Sequence, residues 1–301
     1  MNVIVTGGCG FIGSHLVDLL ITEGYDKYVI DNMTAGNAQF LNKKAKYFYL
    51  NILDFRKLKS IFEEVKPKAV FHMAAQIDVQ ASIQNPVFDA QVNILGSINL
   101  IELCKAYKSK LIYSSSAAVY GKPLYLPISE HHPIQPISNY GISKYVPEQY
   151  IRSYAQLYDV NYTILRYSNV YGPRQVPKRE GGVISIIIEK MKTDESPIIF
   201  GDGKQTRDFI FVEDVVSANL SALQAKRNGT YNISTGTQIS INELTIKLNS
   251  ILNKDFVPVY KHARPGDIYH SCLDHRLAKT ELGWQPIYSI LEGMKKTCLQ
   301  I

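Results

Sequence analysis

The sequence predicts an α/β protein built on a doubly wound parallel sheet, and three observations lead to this fold class. Short β-branched or aromatic runs alternate with longer segments that carry apolar residues at helical spacing. Consecutive strands separated by helices pair in parallel through right-handed crossovers, which places helices on both faces of the sheet. After Arg166 the alternation loosens, and this change indicates a smaller C-terminal α/β domain.

Six strands and four helices are expected in the first part of the chain. The strands are predicted at Val3–Val5, Tyr28–Ile30, Tyr47–Leu50, Ala69–Phe71, Leu111–Tyr113 and Tyr162–Leu165. The helices are predicted over Phe11–Glu23, up to about Val65, over Val87–Tyr107 and over Tyr140–Tyr158. Pro147 lies inside the last helix, where we expect either a kink or a tolerated one-turn distortion.

The composition excludes a disordered chain, a fibrous protein and a coiled coil. A chain of 301 residues with 46% hydrophobic and 20% charged residues is ordinary for a globular protein. The most apolar stretches, such as Val183–Ile188, are too short to cross a bilayer, and the N-terminus lacks the basic start of a signal peptide. We therefore expect a cytoplasmic protein without a membrane partner.

The charges and cysteines suggest neither a nucleic-acid partner nor a metal site. The chain has 33 basic and 27 acidic residues, a net charge of +6, but the basic residues are scattered. The four cysteines are widely spaced and form no Cys-x-x-Cys pair, so reduced structural thiols are expected. They are Cys9, Cys104, Cys272 and Cys298.

A glycine-rich motif lies between the first predicted strand and the first helix. Residues 6–13 are Thr-Gly-Gly-Cys-Gly-Phe-Ile-Gly, with glycines at Gly7, Gly10 and Gly13. Glycine allows the tight turn, the close approach of a pyrophosphate and the packing of the helix on the sheet. The helix N-terminus, with Phe11 and Ile12, offers backbone N–H groups to the phosphates.

An acidic residue at the end of the second strand extends this pattern. Asp31 lies 18 residues after Gly13, where a carboxylate would accept hydrogen bonds from the adenosine ribose hydroxyls. A carboxylate there would repel a 2′-phosphate, which favours NAD over NADP. The alternative is a turn-forming aspartate before Asn32. Together with the glycines, Asp31 predicts a Rossmann-type dinucleotide-binding domain.

Tyr140 and Lys144 are four residues apart and share one face of a predicted helix. A phenol that acts as a base near pH 7 needs its pKa lowered by about three units, or about 4 kcal/mol. A neighbouring ammonium and the positive charge of a nicotinamide ring both act in that direction. The alternative is an ordinary surface tyrosine followed by a salt-bridging lysine.

Three serines, Ser114 to Ser116, follow the fifth predicted strand, at the sheet edge where sites of this fold gather. A serine hydroxyl there could hydrogen-bond both a substrate hydroxyl and the phenol of Tyr140. The alternative is a serine that only forms a turn. The glycine motif, the serines and the tyrosine–lysine pair each fall at the strand or helix end that nicotinamide chemistry requires.

With these motifs the chain resembles the extended short-chain dehydrogenase/reductase family, and within it the nucleotide-sugar epimerases of the UDP-glucose 4-epimerase type. The resemblance extends from Met1 to about Glu292. It depends on Thr6–Gly13, Asp31-Asn32, Asp54, His72-Met-Ala-Ala75, Asn93, Ser114–Gly121, Tyr140 and Lys144, Asn169–Arg174, Arg207-Asp-Phe209 and Arg264–Asp267.

The resemblance implies which residues bind NAD. Asp54 is expected at the adenine, and the backbone near Ala74 and Ala75 along the dinucleotide groove. Asn93 is expected beside the nicotinamide half, and Lys144 on the nicotinamide ribose. The complete expected set is Gly7, Gly10, Phe11, Ile12, Gly13, Asp31, Asn32, Asp54, Ala74, Ala75, Asn93, Ser114, Tyr140 and Lys144.

The resemblance also implies a UDP-sugar substrate. The expected contacts are Ser116, Tyr140, Asn169, Phe200, Arg207, Arg264, Asp267 and Ser271. Asn169 and the two arginines would hold the diphosphate and nucleoside, Asp267 the nucleotide ribose, and Phe200 the uracil. Ser271 falls where the family has a gate for sugar size, and its small side chain suggests that N-acetyl sugars are accepted.

The implied reaction is a 4-epimerisation through a transient 4-keto sugar, with Ser116, Tyr140 and Lys144 as the catalytic residues. Tyr140 takes the proton of the C4 hydroxyl while the hydride passes to NAD⁺. The keto sugar then turns over and regains the hydride on its other face. UDP-glucose and UDP-galactose are the expected pair, and the N-acetylhexosamine forms are a further hypothesis.

Two other functions remain open. One is another reaction of the family: a 4-keto reductase, a decarboxylase or a dehydratase. The last two place an acidic residue where Ala117-Ala118 follows Ser116 in this chain. The other is a catalytically silent dinucleotide-binding or RNA-associated scaffold, which would have no reason to keep the three catalytic residues together.

The resemblance completes the expected organisation. Residues 1–166 form the NAD-binding domain, to which 207–233 return. Residues 167–206 and 234–301 form the nucleotide-sugar-binding domain. A homodimer is implied through a four-helix contact of the helices near Asn93–Tyr107 and Tyr140–Tyr158.

Overall fold

The computed structural model describes residues 1–177, 182–263 and 268–300. Residue 300 is described by its backbone only. The strands of the main sheet are β1 (Asn2–Thr6), β2 (Asp26–Asp31), β3 (Lys46–Tyr49), β4 (Ala69–His72), β5 (Lys110–Ser116), β6 (Tyr162–Tyr167) and β11 (Gly229–Ile233). They are all parallel, in the order β11-β6-β5-β4-β1-β2-β3. The predicted doubly wound parallel sheet is therefore confirmed.

The helices and the shorter strands complete the described architecture. The helices are α1 (Phe11–Thr22), α2 (Phe55–Val65), α3 (Val79–Gln84), α4 (Pro86–Ala90), α5 (Gly96–Tyr107), α6 (Asn139–Tyr158), α7 (Val183–Lys192), α8 (Val212–Gln224), α9 (Ile241–Leu252), α10 (Arg276–Leu282) and α11 (Ile290–Gln300). The short strands are β7 (Asn169–Tyr171), β8 (Ile198–Phe200), β9 (Thr206–Arg207), β10 (Phe209–Phe211), β12 (Ile239–Ser240) and β13 (Val259–Lys261).

Alternating apolar residues of β1 give the sheet a core on each face. Val3 and Val5 belong to one cluster, with Leu16 and Val215 from α1 and α8. Ile4 belongs to the other, with helices α2, α5 and α6. Successive side chains of a strand point to opposite faces, so a run of consecutive apolar residues marks a strand that is buried on both sides.

Three small strand pairs lie outside the main sheet in the described residues of the C-terminal part. Strand β7 pairs with β10 and β8 with β13 in parallel, and β9 pairs with β12 antiparallel. Helices α7, α9 and α11 pack with β10 in a third apolar cluster. The main sheet includes β11 from the segment 207–233, but the domain limits given above stay a prediction.

The helix predicted over 87–107 differs from the observed structure. It begins at Pro86 and contains a wider π-type turn at Gln91–Leu95, between α4 and α5. This turn buries Asn93, and the helical pattern of apolar residues did not predict it. By length and composition alone Pro86–Tyr107 could cross a bilayer, and 44% of its most apolar window is buried in the protein.

Two further elements refine the predictions near the site. Strand β5 continues through Ser116, because Ser114, Ser115 and Ser116 pair in register with β6. The serines thus end the strand instead of following it. Helix α6 is one helical element on both sides of the buried Pro147, which agrees with a tolerated local distortion.

Candidate functional site

The carboxyl ends of the parallel strands form one edge, and the strand order reverses there between β1 and β4. Ligands of open α/β sheets bind in the crevice at such a reversal. β1 leads into the glycine-rich turn, β2 ends at Asp31, and β5 ends at Ser116. The topology therefore brings three of the predicted motifs to one edge.

The glycine-rich turn is tight enough to require glycine at two positions. Gly7 has a φ of +69°, and a Cβ there would lie 2.7 Å from the backbone nitrogen of Ala74. A Cβ on Gly13 would lie 2.1 Å from the carbonyl oxygen of Gly7. Helix α1 follows with no side-chain cap at Gly10 and no acidic residue in its first turn. Such a helix N-terminus suits a phosphate group.

Asp31 is buried at the end of β2 and faces this turn. One carboxylate oxygen accepts a hydrogen bond from the Cys9 backbone N–H at 3.0 Å, and the other from Met33 at 2.8 Å. Burial and the Asp31 charge raise the pKa of the Cys9 thiol to about 12, so this cysteine stays a neutral thiol. The turn, the helix end and the carboxylate fit the diphosphate and adenosine ribose of a dinucleotide.

The Ser116 hydroxyl lies near the phenol of Tyr140. Burial raises the pKa of Tyr140, the neighbouring Ser116 hydroxyl lowers it, and the Asp89 carboxylate raises it. Lys144 was expected to lower the pKa of Tyr140, but in the protein without its cofactor Lys144 is not among the groups that shift it.

The position of Lys144 explains this difference. Its ammonium lies over the ring of Tyr113, 4.8 Å from the ring centre, and the side chain is almost fully buried. Burial lowers the pKa of Lys144 to about 8, while Glu148 and Asp89 raise it. Within the described residues no carboxylate is close enough to form an ion pair with this buried ammonium.

Several predicted cofactor residues have protein partners. Asn93 bonds the backbone of Gln76 at 2.8 and 2.9 Å and also donates to Ser143 at 3.0 Å. Asp54 caps α2 by accepting from Lys57. Asn32 accepts from Thr34, the Ser114 hydroxyl lies near the Tyr167 phenol, and Ala74 and Ala75 follow β4. Their contacts with NAD stay predictions.

Three of the predicted substrate residues converge on one stretch of backbone. Asn169 donates its N–H to the carbonyl of Asp208, and Ser271 donates to the carbonyl of Thr206. Arg207 lies between those two positions, and its guanidinium donates to the carbonyl oxygens of Thr206 and Tyr269 at 2.8 and 3.3 Å.

Phe200 is joined to the same region through Gln205, whose amide donates to the Phe200 carbonyl at 2.7 Å. Phe200 lines a cavity of about 750 Å³ with residues that follow β8 and belong to or follow β13: Gly201, Tyr260, Lys261, His262 and Ala263. Arg264 and Asp267, which were also predicted to bind substrate, lie outside the described residues.

Sequence reasoning missed the role of Asp208, which is fully buried beside Arg207. Its carboxylate accepts hydrogen bonds from the backbone N–H groups of Thr235, Gly236 and Leu273 at 3.0, 3.1 and 3.2 Å. Burial raises its pKa, and these donors lower it. Asp208 therefore ties together the segments that carry Asn169 and Ser271. In the sequence, its place between Arg207 and Phe209 in the family motif could have indicated this role.

The comparisons with known proteins agree with this geometry. The model of the NAD dependent epimerase/dehydratase family matches residues 3–234. A UDP-glucose 4-epimerase of Mycolicibacterium smegmatis is 38% identical over 305 residues, which cover 99% of this chain and 97% of the relative.

Solved structures give the same picture. The crystal structure of a UDP-glucose 4-epimerase of Thermotoga maritima, solved with UDP-glucose, is 44% identical and has a TM-score of 0.98 over 100% of this chain and 98% of its own. A UDP-N-acetylglucosamine 4-epimerase of Methanobrevibacter ruminantium, in complex with UDP-N-acetylmuramic acid, is 36% identical, with a TM-score of 0.94 and coverage of 99% and 97%.

Proposed function

The chain belongs to the NAD dependent epimerase/dehydratase family, and from this premise we propose that it is a UDP-hexose 4-epimerase. The family predicted from the motifs is thus confirmed, and with it the NAD cofactor. The observation that carries the proposal is the meeting of Ser116, at the end of β5, with Tyr140 of α6, one helical turn before the buried Lys144.

The residues of the dinucleotide crevice have separate tasks in this mechanism. The turn from Gly7 to Gly13 and the N-terminus of α1 would hold the diphosphate, and Asp31 the adenosine ribose. Lys144 would hold the nicotinamide ribose. NAD, when bound, supplies the hydride acceptor and donor and a positive ring charge next to Tyr140.

Tyr140 is the proposed general base. Its phenolic oxygen would accept the proton of the sugar C4 hydroxyl and return it after the sugar has turned. Because burial raises the pKa of Tyr140 in the protein alone, the phenolate would depend on the positive charge of the bound cofactor. Ser116 would hydrogen-bond the same C4 oxygen and keep it aligned with the phenol.

The substrate groups beyond the reacting sugar would be held by the C-terminal part of the chain. Arg207 and Asn169 are proposed at the diphosphate, and Phe200 beside the uracil. Arg264 and Asp267 keep the roles that the resemblance implies. UDP-glucose and UDP-galactose are the proposed pair. The small side chain of Ser271 supports the further proposal that the N-acetylhexosamine forms are also accepted.

A specific observation argues against dehydration or decarboxylation. Ala117 and Ala118 form a 3₁₀ turn directly after Ser116, so neither position provides an acidic group. The nearby Glu148 carboxylate is fully buried and already bonded to Ser115 and Arg166. A 4-keto reductase remains the alternative enzyme, and it would differ by consuming or producing NADH.

The proposed homodimer would use the outer faces of α5 and α6. Large apolar side chains are exposed on and beside these helices, among them Leu95 at 53%, Ile142 at 46% and Leu157 at 67%. Burial of such residues in a helix–helix contact would remove apolar surface from water. Sedimentation of the purified protein tests this proposal, and a monomer at micromolar concentration would contradict it.

The experiment that tests the function uses the purified protein without added NAD. UDP-glucose, UDP-galactose and their N-acetyl forms are supplied separately, and inversion at C4 is followed by proton NMR. The proposal predicts interconversion of each gluco/galacto pair with no net change in NADH absorbance. Net accumulation or loss of NADH would indicate a redox enzyme, and no turnover of any UDP-hexose would overturn the proposal.

A further inference from the structure

A buried chain of hydrogen bonds lies beneath the site and passes through His72 at the end of β4. The Thr6 hydroxyl lies 2.8 Å from Nδ1 of His72, and Nε2 of the same ring lies 2.9 Å from the Ser97 hydroxyl. All three side chains are at most 2% exposed, so no solvent competes for these bonds. The chain therefore connects β1, β4 and α5 inside the protein.

The direction of each bond is fixed by the partners at the two ends. The Ser97 hydroxyl donates its single proton to the Asn93 carbonyl at 2.5 Å, so it accepts from His72. Nε2 of His72 therefore carries a proton. At the other end the backbone N–H of Ala74 donates to the Thr6 oxygen at 3.3 Å. With Nε2 protonated and the ring neutral, Nδ1 accepts the proton of the Thr6 hydroxyl.

The surroundings keep this ring neutral. The charged group that faces His72 from α6 is the Lys144 ammonium, and the Tyr113 ring lies 5.7 Å away between centroids. Burial, and then the Lys144 charge, lower the pKa of His72 to about 3. A second proton on the ring would also deprive the Thr6 hydroxyl of Nδ1, the acceptor of its proton. His72 thus has one tautomer over the working pH range.

Both ends of this chain of hydrogen bonds reach the candidate site. Thr6 directly precedes Gly7, and it holds Ala74, whose backbone nitrogen leaves no space for a Cβ on Gly7. At the other end the Asn93 amide donates to the Ser143 hydroxyl at 3.0 Å, which donates to the Tyr140 carbonyl at 3.1 Å. One continuous set of bonds therefore joins the glycine-rich turn to the first turn of α6.

We propose that His72 is a positioning residue, which holds the dinucleotide-binding turn and the helix of Tyr140 in one fixed relation through its Nε2–H tautomer. This inference rests on the proposed epimerase function. A hydride must pass between NAD, held at the glycine-rich turn, and a sugar whose C4 hydroxyl proton is taken by Tyr140 on α6. A misplacement of about 1 Å at such a site reduces the rate by about 100-fold.

The tautomer is tested first, by a measurement that does not require activity. Histidine labelled with ¹⁵N is incorporated, and long-range ¹H–¹⁵N spectra are recorded between pH 5 and 8, with the His72 signals assigned from their loss in His72→Phe. The proposal predicts a neutral Nε2–H ring that does not titrate over this range. An Nδ1–H ring, or titration near pH 6.5, would overturn it.

The positioning role is tested by kinetics against a matched control. His132 is also buried, at 3% exposure, and also makes two hydrogen bonds, with the Leu124 N–H at 2.9 Å and the Pro133 carbonyl at 2.7 Å. His72→Phe and His132→Phe therefore lose comparable contacts, but only His72 belongs to the chain that reaches the site.

His72→Phe is expected to lose about 100-fold in kcat and part of its bound NAD, with an unchanged KM for the UDP-sugar, while His132→Phe keeps both. His72→Gln, which can still donate to Ser97, should recover part of the kcat. Equal losses in the two Phe variants, or an unchanged kcat in His72→Phe, would overturn the proposal. If wild type turned over no UDP-hexose, the proposed function would fail, and the tautomer and the bound NAD would still decide the role of His72.

Discussion

Glu148 and Arg166 form a two-pronged ion pair in the interior, with Nε of the arginine 2.9 Å from Oε1 and Nη2 2.6 Å from Oε2. Glu148 is fully buried and Arg166 is 3% exposed. Glu148 lies one helical turn after Lys144 and also accepts a hydrogen bond from Ser115 at 2.6 Å. The ion pair and the bond from Ser115 therefore join α6 to the carboxyl ends of β6 and β5, and Ser116 is the last residue of β5.

Replacement of Glu148 by glutamine should destabilise the protein strongly. The change leaves the Arg166 charge buried without its partner, and the loss of one member of such a pair costs about 3–5 kcal/mol. Urea unfolding measures this free energy. Arg152→Met is the control, because Arg152 contacts the same carboxylate at 2.8 Å but is about one-third exposed. Its cost should stay below about 1 kcal/mol, and equal costs for the two variants would contradict the account.

The pH dependence of kcat should change when the Glu148 carboxylate is removed. Lys144 has a pKa lowered to about 8 by burial, and Glu148 raises it. The ammonium is present below this pKa and lost as the pH rises through it, so kcat should fall on the alkaline side. In Glu148→Gln the raising effect is absent, and the fall should begin at lower pH. A pH–rate profile with an unmoved alkaline limb would exclude this role of Glu148.

Gly13→Ala should lose bound NAD. Its Cβ would lie 2.1 Å from the carbonyl oxygen of Gly7, so the phosphate-binding turn must shift. Gly24→Ala is the control, because it also strains the backbone, at a φ of +76°, but meets no atom within 4 Å and lies at the other end of α1. NAD per chain is measured by absorbance after denaturation. Equal NAD contents in the two variants would show that the turn does not hold the cofactor.

The sequence predicted the elements whose signal is local. Val3–Val5 and the glycines after it mark a strand and a turn, and the four-residue spacing of Tyr140 and Lys144 marks one helix face. The π-type turn at Gln91–Leu95 was missed because it is set by buried side-chain bonds of Asn93, not by the pattern of apolar residues.

The missed contacts of the site join residues that are far apart in the chain. Thr6 and His72 are separated by 66 positions, and His72 and Ser97 by 25. Arg166 stands in an apolar strand, where a charge indicates a buried partner without identifying it. The helical spacing of Glu148 after Lys144 was available as a signal, but its contact with Arg166 needs the assembled sheet.

The measurement that tests the central claim most directly compares wild type with Tyr140→Phe at saturating UDP-galactose. C4 inversion is followed by NMR, and NAD per chain is measured in both proteins. The account predicts a loss of about 10²–10⁴-fold in the rate of inversion, the usual contribution of a general base, with NAD content unchanged. Inversion at the wild-type rate without the phenolic hydroxyl would contradict it.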